Sequence, residues 1–127
     1  MKFLIIAGLL CLSITAIAQT EIKIEDVRNH VGDSVKLMAK IYGGKYLETT
    51  TNTPTFLNVG GKYPDAPLTL VIWGDVRRQF KNAPETFYTG KEQWILGKIE
   101  LYKNKPQIVI HHTNQIYDIT GAAPEKN

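Results

Sequence analysis

The chain has 127 residues, with 15 Lys and Arg against 12 Asp and Glu, and a single cysteine. That length suits one domain with one core, which buries roughly two-thirds of the surface its unfolded chain exposes and so folds without staples. The net charge of +3 is too mild to assign a polyanionic partner by itself, and one cysteine excludes a disulfide framework and a thiolate metal cage.

The N-terminus opens Met1-Lys2, continues as an apolar run over residues 3–12 and reaches Ala16-Ile17-Ala18. A basic start, a short apolar core and an A-x-A site read as a secretory signal peptide over residues 1–18. The run is shorter than the roughly 20 residues a membrane span needs. Cys11 lies inside the leader, after Leu10 and before further apolar residues, so a lipid anchor is not expected. Cleavage after Ala18 leaves a mature chain that starts at Gln19 and has no cysteine and no membrane anchor. Its expected location is exported, periplasmic or secreted.

Residues 20–24 form a lead-in, and residues 25–31 read as a helical turn or two ended by Gly32. The first strand, 34–42, alternates with a period of two: Val35, Leu37, Ala39 and Ile41 share one face, Lys36, Met38, Lys40 and Tyr42 the other. Residues 43–54 are a long polar connection. A second strand, 55–59, a loop, 60–67, and a third, mostly apolar strand, 68–73, follow. Gly74 stops the third strand, and 75–80 reads as a short helix capped by Asp75. The segment 82–89 crosses back, with Phe87 and Tyr88 expected to cover one end of the domain. The fourth strand is 92–102 and the fifth 107–116, with a break near Thr113-Asn114. Gly97, inside the fourth strand, marks a bend, a bulge or a close backbone approach, and a bend is what a small sheet needs to curl closed. Trp94 is expected under the crossover at the same end as Phe87. The tail, 121–127, is expected to be disordered.

Five strands, a short helix before the first and a helical crossover between the third and fourth give the order of the OB-fold. The expected fold is therefore all-β: a five-stranded OB-fold Greek-key barrel over residues 19–120, with a short helix between strands 3 and 4. Such barrels commonly bind oligonucleotides or sugars on the strand two–three face and its flanking loops.

Three segments add a resemblance. They are His30-Val31-Gly32-Asp33-Ser34-Val35; Thr55 through Val59 with Gly60-Gly61-Lys62-Tyr63-Pro64; and Gly90-Lys91, Gly97-Lys98-Ile99, Tyr102-Lys103-Asn104-Lys105-Pro106-Gln107-Ile108 and Asn114-Gln115-Ile116. In their order and spacing the chain resembles the secreted bacterial OB-fold domains described as nucleic-acid-binding, which occur alone or beside secreted nucleases. The resemblance implies the fold and a nucleic-acid partner; activity has to be argued from a site.

Binding a single strand needs cations along the phosphates and exposed rings under the bases. The residues that fit are Lys40 and Tyr42 on the first strand, with Lys36 beside them, and Lys45 and Tyr46 in the first loop. Phe56 and Asn58 are outward on the second strand, and Lys62 and Tyr63 lie in the second loop. Trp73 alternates with Ile72 at the end of the third strand, Arg77 and Arg78 lie on the crossover, and Lys103 and Lys105 form the last hairpin turn. Phe56 and Trp73 fit a core equally well, and Arg77-Arg78 also reads as a solvated helix face. Tyrosine exposes a ring while wetting its hydroxyl, which favours Tyr42 and Tyr46.

No catalytic set is visible. Ser34 is the one serine after the leader, and the carboxylates are scattered over turns and caps, whereas a nuclease clusters them around metal ions. Adjacent strand residues point to opposite faces, so His111-His112 does not make a shared metal site; one is expected to pack and the other to be solvated. The sequence therefore predicts a module, not an enzyme, that needs no cofactor and binds single-stranded DNA or RNA with low sequence specificity. The alternative is a periplasmic OB-fold protein that binds a protein, glycan or small ligand. Oligomeric state is left open.

Overall fold

The computed structural model of the chain describes residues 19–120 together with Gly8. The rest of the expected leader over residues 1–18, and the expected tail over 121–127, lie outside the described residues. Seven strands form one mixed sheet: β1 (Thr20–Ile22), β2 (Ser34–Tyr46), β3 (Thr55–Val59), β4 (Leu68–Ile72), β5 (Glu92–Tyr102), β6 (Lys105–Val109) and β7 (Ile116–Asp118). The short helices α1 (Gly74–Arg77) and α2 (Pro84–Phe87) join β4 to β5, and 3-10 turns cover Ile24–His30 and Thr113–Gln115.

The strand order is β1-β2-β3-β4-β6-β5-β7, and β2 also pairs with β5. The pairings of β2, β3, β4, β6 and β5 therefore run in a closed ring. β1–β2 and β4–β6 are parallel; the other pairs are antiparallel. Alternation along each strand fills the ring. Val35, Leu37 and Ile41 of β2, Leu57 of β3, Leu70 of β4, Ile95 and Ile99 of β5 and Ile108 of β6 are all fully buried. Full burial of such a side chain contributes about 1.5–3 kcal/mol, so the period-two pattern is the main force that sets which face turns inward.

Gly97 is where the ring closes. β5 pairs with β2 from Glu92 to Lys98, then with β6 from Ile99 onward. Gly97 sits at the switch with φ +155°, and a β-carbon there would lie 2.4 Å from Cγ2 of the fully buried Ile108. A residue without a side chain lets one strand serve two neighbours on different parts of the ring.

Several expectations change. The first strand does not end at Tyr42. A register shift between Ile41 and Gly43 leaves Tyr42 as the extra residue of a bulge, and pairing with β3 resumes from Gly43 to Tyr46. Lys45 and Tyr46 are thus strand residues, not loop residues. The lead-in contains β1, which lies parallel on β2. The expected fifth strand is two strands. β6 stops at Val109, and β7 resumes further along the same edge of β5, beside Gln93, Trp94 and Ile95 and across from β2. Gln115 fixes the turn between them: its side chain accepts the N–H groups of His111 at 2.6 Å and His112 at 2.9 Å and donates to the Leu96 carbonyl at 2.9 Å. Both histidines are exposed, so neither packs.

Trp73, not Asp75, occupies the N-cap of α1; Asp75 Oδ1 accepts the neighbouring Val76 N–H at 2.9 Å. Tyr88 joins the core at 3 % exposure while Phe87 stays exposed. Trp94 does not lie under the crossover. It stands on the outer face of β5, stacked on Tyr117 with ring centres 6.3 Å apart and with Lys36 Nζ 4.3 Å from its centre, because its register partners on both sides, Met38 and Tyr117, face outward.

Candidate functional site

The outer face of β2, β3 and β4 carries a groove of about 590 Å³ lined by Lys45, Leu47, Phe56, Asn58, Tyr63 and Thr69, with Gly44 beside them. Register builds it. Lys45 lies opposite Phe56, and Gly43 opposite Asn58, which in turn lies opposite Thr69. Phe56 and Asn58 alternate with buried Thr55, Leu57 and Val59, so both point out of the ring. The bulge puts Lys45 on the same outer face as Phe56. A β-carbon at Gly44 would lie 2.4 Å from the Phe56 carbonyl oxygen, so β2 approaches β3 closely only with glycine there. Tyr63 reaches in from the β3–β4 loop and is 79 % exposed. The groove thus brings together Lys45, Phe56, Asn58 and Tyr63 of the residues expected from sequence.

The other candidates lie apart from it or are engaged. Lys62 is exposed next to Tyr63. Lys40 precedes the bulge and Tyr42 lies at it, with Lys40 Nζ 5.0 Å from the Tyr42 ring centre. Lys103 and Lys105 are exposed at the β5–β6 turn, where Lys103 Nζ is 5.5 Å from the Tyr102 ring and Arg28 donates to the Asn104 carbonyl at 3.2 Å. Trp73 is 39 % exposed but lines a separate cleft of about 500 Å³ with Asn52, Thr53, Asp75 and Arg78.

Arg77 is an engaged cation. It donates to both carboxylate oxygens of Glu85, one at 3.0 Å, and to Thr55 Oγ1 at 2.9 Å. It also lies 3.6 Å from the Tyr46 ring centre. The Glu85 hydrogen bond raises the guanidinium pKa despite burial. For Glu85, burial pushes the carboxyl up, but the Arg77 hydrogen bond, a backbone bond and the charge outweigh it, and the net shift is downward. Arg77 and Tyr46 therefore tie the crossover to β2 and β3.

Sequence reasoning missed Thr69 and Leu47. Thr69 enters the groove only through its pairing with Asn58, and no local pattern records which residues of two strands lie opposite. Among the described residues no three His, Cys, Asp or Glu side chains gather as metal ligands, and no helix is long and apolar enough to cross a membrane.

No family model and no curated protein matches the chain. Among solved structures it is similar to a "putative aspartyl-tRNA synthetase" from Leishmania major Friedlin, with TM-score 0.45 and 9% sequence identity over 85% of this chain and 21% of that one. The chain spans about a fifth of that protein's length.

Proposed function

We propose that the chain is an exported OB-fold module that binds single-stranded nucleic acid with low sequence specificity in the β2–β3–β4 groove, without catalysis. The ring of five paired strands, with its helical crossover between β4 and β5, supports the OB-fold reading, since it follows the Greek-key order of that small barrel. The observation that carries the functional reading is the pairing of Lys45 with Phe56 on the outer face, in one groove with the 79 % exposed Tyr63. A cation and two rings lining one groove are what a phosphate and two stacked bases require.

In this reading Phe56 and Tyr63 are the stacking surfaces, and Lys45 and Lys62 contact phosphates. Lys40, Lys103 and Lys105 extend the cationic field, which raises the encounter rate. Arg77 and Tyr46 act indirectly by holding the crossover against β2. Export rests on the leader read from residues 1–18, and recovery of the mature chain from a periplasmic or culture fraction with Gln19 at its N-terminus checks it.

Fluorescence anisotropy with labelled single-stranded DNA and RNA decamers tests the binding reading. Affinity should fall steeply with salt as neutralised phosphates release counterions, and Phe56→Ala and Tyr63→Ala should each cost about 1–3 kcal/mol. Binding that is flat with salt, or unaffected by both substitutions, removes this function. Capture of a protein or glycan that survives nuclease treatment would replace the nucleic acid with another ligand.

A further inference from the structure

The groove continues past β4 as one row of polar side chains. Asn58 on β3 lies opposite Thr69 on β4, Thr69 opposite Gln107 on β6, and Gln107 opposite Glu100 on β5. Each residue points outward because its inner neighbours are buried: Leu57 and Val59, Leu68 and Leu70, Pro106 and Ile108, and Ile99 before Glu100. With strands about 4.8 Å apart, the row spans roughly 14 Å, room for two or three nucleotides.

Asn58, Thr69 and Gln107 are half-buried and Glu100 is exposed. Among the described residues none of the four side chains makes a hydrogen bond or an ion pair, and no buried polar side-chain atom lacks a partner. Their donors and acceptors are therefore open to solvent and to a ligand. The row is also polarised. One end adjoins Lys45 and Phe56; the other ends on Glu100, a carboxylate that only accepts hydrogen bonds, with the exposed Lys98 and Lys105 two residues along β5 and β6 to hold the flanking phosphates.

Resting on the binding reading above, we propose that Glu100 forms a base subsite that selects cytosine over uracil at one position of the bound strand. The backbone follows the lysines, and a base laid along the row turns its Watson–Crick edge toward Glu100. There the carboxylate accepts a hydrogen bond from the cytosine N4 amino group, the pairing by which Asp and Glu read this base. Uracil presents an acceptor oxygen at the same place and is disfavoured. Unstacked bases of single strands are read on this edge. Asn58, Thr69 and Gln107 donate and accept alike, so the selection resides at the Glu100 end while the rest of the groove tolerates any base.

The test is competition anisotropy with RNA decamers of cytidine and of uridine, at fixed salt and neutral pH, on the full chain. The wild-type protein should bind the cytidine decamer about tenfold more tightly, the scale of one hydrogen bond to a charged group. Glu100→Gln can both accept and donate, so the ratio should fall to about one, with uridine binding strengthened. Glu100→Ala should also lose the preference. Glu100 is exposed, and an unchanged melting temperature in both variants shows that the fold is intact. Equal wild-type affinities, or a preference that survives both substitutions, overturn this proposal and leave the binding reading standing. No binding of either decamer at low salt overturns the binding reading, and this proposal with it.

Discussion

The guanidinium of Arg77 rests 3.6 Å from the centre of the Tyr46 ring, while Glu85 grips the same group from α2. One side chain thereby fastens both helices of the crossover to the far end of β2. Both charged partners are mostly shielded, at 16% and 19% side-chain exposure, so breaking the pair leaves a poorly solvated charge.

Arg77→Ala and Glu85→Ala should each destabilise the protein by about 2 kcal/mol, since removing one partner of a shielded pair strands the other. Urea unfolding midpoints measure this. Because the Glu85 carboxyl is held below its ordinary value, its contribution is present above the unfolded pKa and is lost as pH falls through the lower, folded one. Melting temperatures of wild type and Glu85→Gln should therefore differ most at neutral pH and converge in acid. Parallel acid limbs would show that this carboxylate does not supply the pH dependence.

Tyr88 governs the opposite limb. Burial pushes its hydroxyl from 10.0 up to about 12, so the neutral form is favoured in the fold. This contribution is intact below pH 10 and is lost between pH 10 and about 12, as the unfolded chain ionises first. In an ultraviolet titration Tyr88→Phe should remove a late-ionising tyrosine and make the alkaline loss of stability shallower. A titration curve that changes only at lower pH would contradict the burial argument.

Gly97→Ala should be among the more damaging single substitutions. The new methyl meets Cγ2 of fully buried Ile108 at 2.4 Å, at φ +155°, so backbone strain and overpacking add. A loss of about 2–4 kcal/mol is expected. An unfolding midpoint within about 0.5 kcal/mol of wild type, the range of an ordinary surface change, would mean that β5 is not pinned at this bend.

The groove lysines and the indole outside the groove should separate cleanly. Lys45→Ala and Lys62→Ala should each lower the slope of log affinity against log salt for single strands by about 0.7, one phosphate contact apiece. Trp73→Ala, which alters only the neighbouring cleft, should leave that slope and the affinity unchanged. A large loss on removing Trp73 would move the binding surface to the cleft with Asn52, Asp75 and Arg78.

Much of this architecture is legible in the alternation of apolar residues. Val35, Leu37, Ala39 and Ile41 turn inward as their spacing requires, and the bounds of β5 follow its sequence pattern. Phe56 and Asn58 point outward for the same reason. What alternation does not carry is which strand lies next to which, and in what register. Lys45 reaches the groove only because a bulge at Tyr42 shifts the register and Gly43, a residue that reads as a strand terminator, carries the strand on. Thr69, Gln107 and Glu100 become neighbours across three strands with nothing in their local sequence to announce it. Arg77 reads as a free surface cation because its partner, Glu85, belongs to another helix. The split between β6 and β7 depends on one glutamine side chain that satisfies two backbone N–H groups, a tertiary event with no periodic signature.

The sharing of β5 between two neighbours bears on how the polypeptide assembles. Val35 waits for Gly97, and Leu70 waits for Ile108, so the β2–β3–β4 meander can form early from nearby residues but stays open until almost the entire domain has been synthesised. Pairings between such distant segments carry a loop-closure cost before they return any burial, which places folding among the slower small domains. A ribosome-bound nascent chain halted before β5 emerges would hold only a half-built wall, with its apolar side still wet.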